Sequence, residues 1–278
     1  MKSEKGRAMV NLGPDVPWEM MEFPVPAPEP DAIVTRITMS SVCGSDVHIY
    51  KGELGPVRPG EKPKPQIPGH EFVGRIHKLG SNVKTDTAGQ PLKEGDRVTW
   101  TVLRLCGKCY SCVNEIGRCS DRSAATFTFG EFPYFKGAFC DYYYISPGQW
   151  IYKVPDEVPD EAAVYVSCAA GTVSFGLGKV KFPLGATVVI QGAGGLGINA
   201  TPLAKDMGAA RVIVIDKNPE RLKFVKSFGA DYTIDANEYP APQDRIERVK
   251  QLAGGNGANV VVEVVGSAPE VVPEGLQM

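Results

Sequence analysis

The chain has 278 residues, 43% of them hydrophobic, and 30 Lys and Arg against 32 Asp and Glu leave a formal net charge of −2. That length points to two domains, each with apolar residues enough for a core, and the scattered, slightly acidic charge excludes an electrostatic nucleic-acid binder. Met1–Arg7 lacks the apolar centre of a signal peptide, and no uninterrupted run of about 18 apolar residues exists to cross a membrane, so a cytoplasmic protein is expected.

The first half reads as short strands between Pro and Gly punctuation. Ile33, Thr35, Ile37 and Met39 alternate with Val34, Arg36 and Thr38; Val98, Trp100 and Val102 alternate with Arg97, Thr99 and Thr101. A period of two predicts an antiparallel barrel or folded sheet with one wet face. Within it, Gly55 to Pro68 is a Pro-rich loop, His77 is expected as an exposed strand residue along Phe72–Leu79, and Cys140 as a buried core thiol. The aromatic stretch Phe127–Phe135 suits either a substrate cleft or a packed edge.

The grammar changes at Gly185. Thr187–Gln191 predicts a buried strand, followed by a glycine loop and a helix carrying Leu196, Ala200, Leu203 and Met207 on one side. Arg211–Asp216 is a second strand and Asn218–Phe228 a helix, with Pro219 in its first turn and Gly229 as its stop. Tyr232–Ile234 is a short third strand, Ile246, Val249 and Leu252 mark another helix, and Val260–Val265 is a fourth strand. Strands alternating with helices give a parallel, doubly wound sheet. Pro202 falls inside the first of these helices and should kink it.

Two motifs carry chemistry by themselves. Cys106, Cys109, Cys112 and Cys119 crowd four thiols into fourteen residues. In a reducing compartment this suits a closed, tetrahedral Zn²⁺ site that staples a lobe, and disulfides are the lesser alternative. The loop Gly192-Ala193-Gly194-Gly195-Leu196-Gly197 follows a strand and opens a helix, where free N–H groups and the helix dipole receive a diphosphate. Asp216 ends the next strand 24 residues after Gly192, placed to accept ribose hydroxyls and to repel the extra phosphate of NADP, although Lys217 and Arg221 stand nearby. Cys43, His70 and Cys168 are dispersed, and each alone would more often be an ordinary core or surface residue.

Taken in order, Cys43-Gly44-Ser45-Asp46-Val47-His48, Gly69-His70-Glu71, the four-Cys lobe, Cys168-x-x-x-Thr172 and the glycine loop resemble the zinc-dependent medium-chain dehydrogenase/reductase family, which includes alcohol, sorbitol and threonine dehydrogenases. The resemblance implies a GroES-like β-barrel catalytic domain over 1–172 and a Rossmann dinucleotide-binding domain over 173–278. It also implies two Zn²⁺ per chain, NAD in preference to NADP, and a small-molecule alcohol or carbonyl substrate. Cys43, His70 and Cys168 would hold the catalytic zinc, with Glu71 behind it and in position to exchange onto it, and Asp46 orienting the His70 ring. Ser45 and His48 would relay a proton from the substrate hydroxyl through the cofactor ribose to solvent. Zinc lowers the pKa of a bound alcohol, which is the chemistry such a site needs. Gly192, Gly194, Gly195, Leu196, Gly197, Asp216, Lys217, Arg221 and Thr172 would serve the cofactor.

The match has departures. Cys112 and Cys119 lie one step closer than in the commonest lobe; Cys168 is alcohol-dehydrogenase-like, whereas Cys43–His48 is sorbitol-dehydrogenase-like. Thr85–Trp100 resembles a subgroup of phosphonate catabolism, which makes a phosphonate-related alcohol an alternative substrate. The family continues past Met278 to complete a six-stranded sheet, so a C-terminally truncated Rossmann domain is expected, with an exposed sheet edge. A homo-oligomer is expected only of a longer form, because family dimers pair through the last strand. The rival reading is a zinc- and nucleotide-binding chain without turnover.

Overall fold

Alternation in the first half becomes two antiparallel sheets. The computed structural model describes residues 4–54, 65–114, 119, 129–181, 183–266 and 268–278, and the packing divides the chain into two units, Met1–Cys168 and Ala169–Met278. Most of the expected Pro-rich loop (55–64) and the start of the aromatic stretch (127–128) lie outside the described residues.

In the first unit β1 (Lys5–Val10) and β2 (Glu19–Pro24) form a hairpin. A five-stranded antiparallel sheet joins β3 (Ile33–Ser41), β4 (Glu71–Leu79), β5 (Arg97–Arg104), β6 (Tyr142–Ile145) and β7 (Gln149–Lys153) in the order β6-β3-β4-β5-β7. Arg36 and Thr38 are exposed between partly buried Ile37 and Met39, but the expectation of one wet face fails at the start of β3. Ile33 faces a core built on Phe72, Trp100 and Tyr143, while its neighbour Val34 is buried in a second core with Ala8, Val10, Phe135, Tyr142 and Tyr144. The β1 strand supplies that second core, so alternation at Ile33 and Val34 separates two cores rather than core from water. His77 is likewise half-buried, its ring 5.2 Å from Tyr142 and Nε2 3.2 Å from Glu4. Phe129, Tyr134 and Phe135 gather around Phe23, which makes the described part of the aromatic stretch a packed edge. Cys140 packs beside them, its thiol donating to the carbonyls of Gly137 and Tyr142 at 2.8 Å each.

Three short helices decorate this unit: α1 (Gly44–Tyr50), α2 (Tyr110–Val113) and α3 (Asp160–Ala163). A π turn at Val166–Ala170, unsignalled in sequence, follows α3 and runs into α4 (Gly171–Gly178).

The second unit holds a parallel sheet of β8 (Thr187–Gln191), β9 (Arg211–Asp216), β10 (Tyr232–Asp235) and β11 (Val260–Glu263) in the order β10-β9-β8-β11. The central strands β8 and β9 are apolar through their middles because both faces are covered there. Val188, Ile190, Val212 and Val214 meet α4, α5 (Gly195–Asp206) and α6 (Pro219–Lys226); Val189, Ile213, Ile215 and Ile234 meet α7 (Pro242–Leu252) on the other face. Helix α5 continues through Pro202. Asn218 caps α6, its side chain accepting the N–H groups of Glu220 and Arg221. A last helix, α8 (Val271–Gly275), is tied to α7 by Arg245, whose guanidinium donates to both oxygens of buried Glu274 at 2.8 and 2.6 Å. The chain order reverses at β8, and in such sheets the crevice at that strand's carboxyl end is where ligands bind.

Candidate active site

Three side chains from separate segments of the first unit converge. Cys43 caps the N-terminus of α1, His70 immediately precedes β4, and Cys168 sits in the π turn. Their donor atoms all lie within 4.8 Å of one another, and the two sulfurs are 4.0 Å apart. Bonds of about 2.3 Å to a tetrahedral Zn²⁺ set two sulfurs about 3.8 Å apart, whereas a disulfide needs about 2.05 Å, so the donors fit the metal. None of the seven cysteines is in a disulfide. The lobe gives the same result: Cys106, Cys109, Cys112 and Cys119 form a second group, with sulfur pairs Cys106–Cys112 and Cys109–Cys119 each at 4.0 Å. Backbone N–H groups already aim at these sulfurs, Cys106 toward Cys119 at 3.4 Å and Cys109 toward Cys106 at 3.3 Å, as thiolates require.

Electrostatics around the three-donor group favour a deprotonated Cys43 and a protonated Cys168. Hydrogen bonds from Cys168 and then His70 pull the Cys43 thiol down to about 3. The Cys168 thiol moves up, first through its hydrogen bond with Cys43 and then through burial. Burial works against a charged His70, but hydrogen bonds to Asp46 and Cys43 outweigh it and push the imidazole up to about 10. Asp46 is almost completely buried: Oδ2 accepts the Cys43 N–H at 2.9 Å and Oδ1 lies 3.2 Å from His70 Nδ1. That arrangement leaves the other ring nitrogen of His70 for the sulfurs. Glu71 is buried close to Cys168.

Ser45 lies on α1 with its hydroxyl 4.0 Å from the Cys43 sulfur, and His48, one turn on, is half-exposed. Three residues near this group carried no signal in the sequence. The Ser41 hydroxyl donates to the Glu71 carboxylate, the Ser167 hydroxyl donates to the His70 carbonyl at 3.1 Å, and the Glu53 carboxylate lies 2.5 Å from His48 Nδ1. Ordinary serines and an exposed glutamate look like solvated loop residues until the fold brings them home.

In the second unit the glycine loop leaves β8 and opens α5. Gly192 has φ of +107°, and a Cβ on Gly197 would fall 1.9 Å from the Gly192 carbonyl, so both positions demand glycine. A Cβ on Gly194 or Gly195 would meet nothing within 4 Å, which leaves the N-terminal turn of α5 open toward a diphosphate. Asp216 is joined to this loop: Oδ2 accepts the Ala193 N–H and Oδ1 the Asn218 N–H, both at 2.7 Å. Leu196 packs on the core, while Thr172, Lys217 and Arg221 are exposed.

Comparison with known proteins follows the same division. Residues 29–156 match the alcohol dehydrogenase GroES-like domain family, and residues 195–278 match the zinc-binding dehydrogenase family. The 5-exo-hydroxycamphor dehydrogenase of Pseudomonas putida is 38% identical over 94% of this chain and 70% of its own length. The chain belongs to the zinc-binding alcohol dehydrogenase family. Another relative of this dehydrogenase is the L-threonine 3-dehydrogenase of Pyrococcus furiosus, 33% identical over 99% of this chain and 73% of that one. The crystal structure of a Thermotoga maritima alcohol dehydrogenase superposes with a TM-score of 0.87 at 31% identity, covering 99% of this chain and 74% of that one. The dehydrogenase is thus an oxidoreductase of GroES-like plus Rossmann build, from a family whose chemistry uses zinc and a nicotinamide cofactor. Among the described residues no helix is long and apolar enough to cross a membrane.

Proposed function

We propose that this dehydrogenase transfers a hydride between a primary or secondary alcohol and NAD, with one zinc on Cys43, His70 and Cys168 and a second on Cys106, Cys109, Cys112 and Cys119. The observation that carries the reading is the three-donor group: two sulfurs 4.0 Å apart with an imidazole leave a tetrahedral ion one position for substrate, whereas the four-sulfur lobe leaves none. When bound, zinc supplies Lewis acidity toward the alcohol and nicotinamide accepts the hydride.

The chain's own residues account for the rest. Asp46 fixes the ring orientation of His70 and the backbone of Cys43 together, and Glu71 adds negative charge behind Cys168. Ser45 is placed to take the hydroxyl proton beside the metal ligands, and His48, three residues along the same helix, to release it to water. The Asp216 carboxylate, fixed by the Ala193 and Asn218 N–H groups, favours the ribose hydroxyls of NAD over a phosphate in their place.

The test combines metal content with turnover. Elemental analysis of the isolated protein should give two zinc per chain. A panel of alcohols opening with 5-exo-hydroxycamphor and L-threonine, after which relatives are named, should show NAD reduction. Cys168→Ala should lose one zinc and turnover by orders of magnitude while staying folded; full turnover in that variant would refute the ligand assignment.

A further inference from the structure

Helix α1 ends in a Schellman cap that has a consequence for His48. The N–H of Gly52 donates to the carbonyl of Ile49 at 3.1 Å, and the N–H of Glu53 reaches back to the carbonyl of His48 at 2.8 Å. Gly52 has φ of +71°, and a Cβ there would fall 2.7 Å from Pro14, so glycine is required and the turn admits one path. The Asp15 N–H donates to the Tyr50 carbonyl at 2.9 Å and anchors the same turn to the strand side. In this motif the side chain two residues past the cap lies against the side chain in the helix's last turn. That pair is usually apolar; here it is Glu53 and His48, joined at 2.5 Å through Nδ1.

We propose that Glu53 is the positioning residue of the proton relay: it fixes His48 as the Nδ1–H tautomer and leaves Nε2 as the free acceptor. The inference rests on the reading of His48 as the outer relay group. Stability does not explain the pair, because the two side chains are 49% and 51% exposed and such surface pairs contribute little. The cap has already ordered the Glu53 backbone, so little further entropy is lost in holding the ring. A neutral imidazole has one donor and one acceptor nitrogen, and a carboxylate accepts only, so Nδ1 must carry the hydrogen. A proton arriving at Nε2 makes the imidazolium, whose charge Glu53 offsets; its departure from Nε2 to water restores the neutral ring with Nδ1–H still on the carboxylate.

The chain contains three histidines, which makes the tautomer readable by ¹⁵N NMR on the zinc-loaded protein at alkaline pH. His48 should be Nδ1–H in the native protein and mostly Nε2–H in Glu53→Leu. The Glu53→Leu variant should lose roughly tenfold in kcat for alcohol oxidation with KM for the alcohol unchanged. Glu53→Gln, whose amide oxygen still accepts from Nδ1, should keep the tautomer and most of the rate. A native Nε2–H tautomer, an unchanged tautomer in Glu53→Leu, or a changed tautomer with unchanged kcat each overturns the proposal. Full turnover in His48→Ala would instead remove the relay reading beneath it, and those two failures are distinguishable because the tautomer is measured without turnover.

Discussion

Asp46 lies 3.2 Å from Nδ1 of His70 while its second oxygen holds the backbone of Cys43, so one carboxylate fixes two of the proposed metal donors, from segments 27 residues apart in the chain. Groups that orient a metal's ligands are commonly worth 10–100-fold in affinity. Asp46→Asn should therefore release zinc from the Cys43–His70–Cys168 site about 10–100 times faster to a chromogenic chelator, with one equivalent per chain unaffected. Loss of both zincs at one rate would mean that the carboxylate supports the whole unit rather than this site.

The lobe makes the complementary prediction. Among the described residues the four thiols surround α2, which buries none of its own side chains, so a metal there would contribute directly to folding. Cys109→Ala should bind one zinc instead of two and melt at a lower temperature, while Cys168→Ala loses its zinc with a smaller shift. An unchanged melting temperature and zinc content in Cys109→Ala would refute a structural metal.

A buried lysine gives a signature in pH. Lys136 is 6% exposed, its ammonium donating to the Tyr144 carbonyl at 3.1 Å and to the Ser146 hydroxyl, and burial depresses it to about 8. Between about 8 and the unfolded value of 10.5 the unfolded chain binds the extra proton, so stability rises with pH across that window. The rise attributable to this group is on the order of 3 kcal/mol. Urea unfolding at pH 8 and pH 10.5 should show a smaller rise in Lys136→Met than in the native chain; identical slopes would exclude the depressed lysine.

Arg245 and Glu274 form a buried ion pair in the second unit, and Arg245 also donates to the carbonyls of Tyr239 and Pro240 at 2.7 and 2.9 Å. Removing one partner strands the other charge, which typically costs about 3–5 kcal/mol. Glu274→Ala should lower the denaturant midpoint accordingly, without altering zinc content. A change below about 1 kcal/mol would mean that water reaches Arg245 in the variant.

Much of this was legible in the residues. The strands Thr187–Gln191 and Arg211–Asp216 appear where apolar runs placed them, because a sheet covered on both faces writes a continuous signal. The gathering of Cys43, His70 and Cys168 was legible only through family resemblance, since nothing local distinguishes these positions from a core thiol or imidazole. The two-sided burial at the start of β3 was hidden because Val34 is buried by β1, whose pairing cannot be read at β3 itself. Ser41, Ser167 and Glu53 were hidden for a related reason: each makes its hydrogen bond to a partner that only the fold supplies.

The π turn at Val166–Ala170 makes the third donor a matter of counting. Such a turn holds one residue more than the helix around it would, and an α-helix turns about 100° per residue. Deleting either Ser167 or Ala169 would let ordinary helical winding resume and swing Cys168 by about that angle away from Cys43 and His70. Substitutions on either side of Cys168 leave the count intact. The segment should therefore tolerate changes of letter far better than changes of length, the reverse of what is usual for a surface connection.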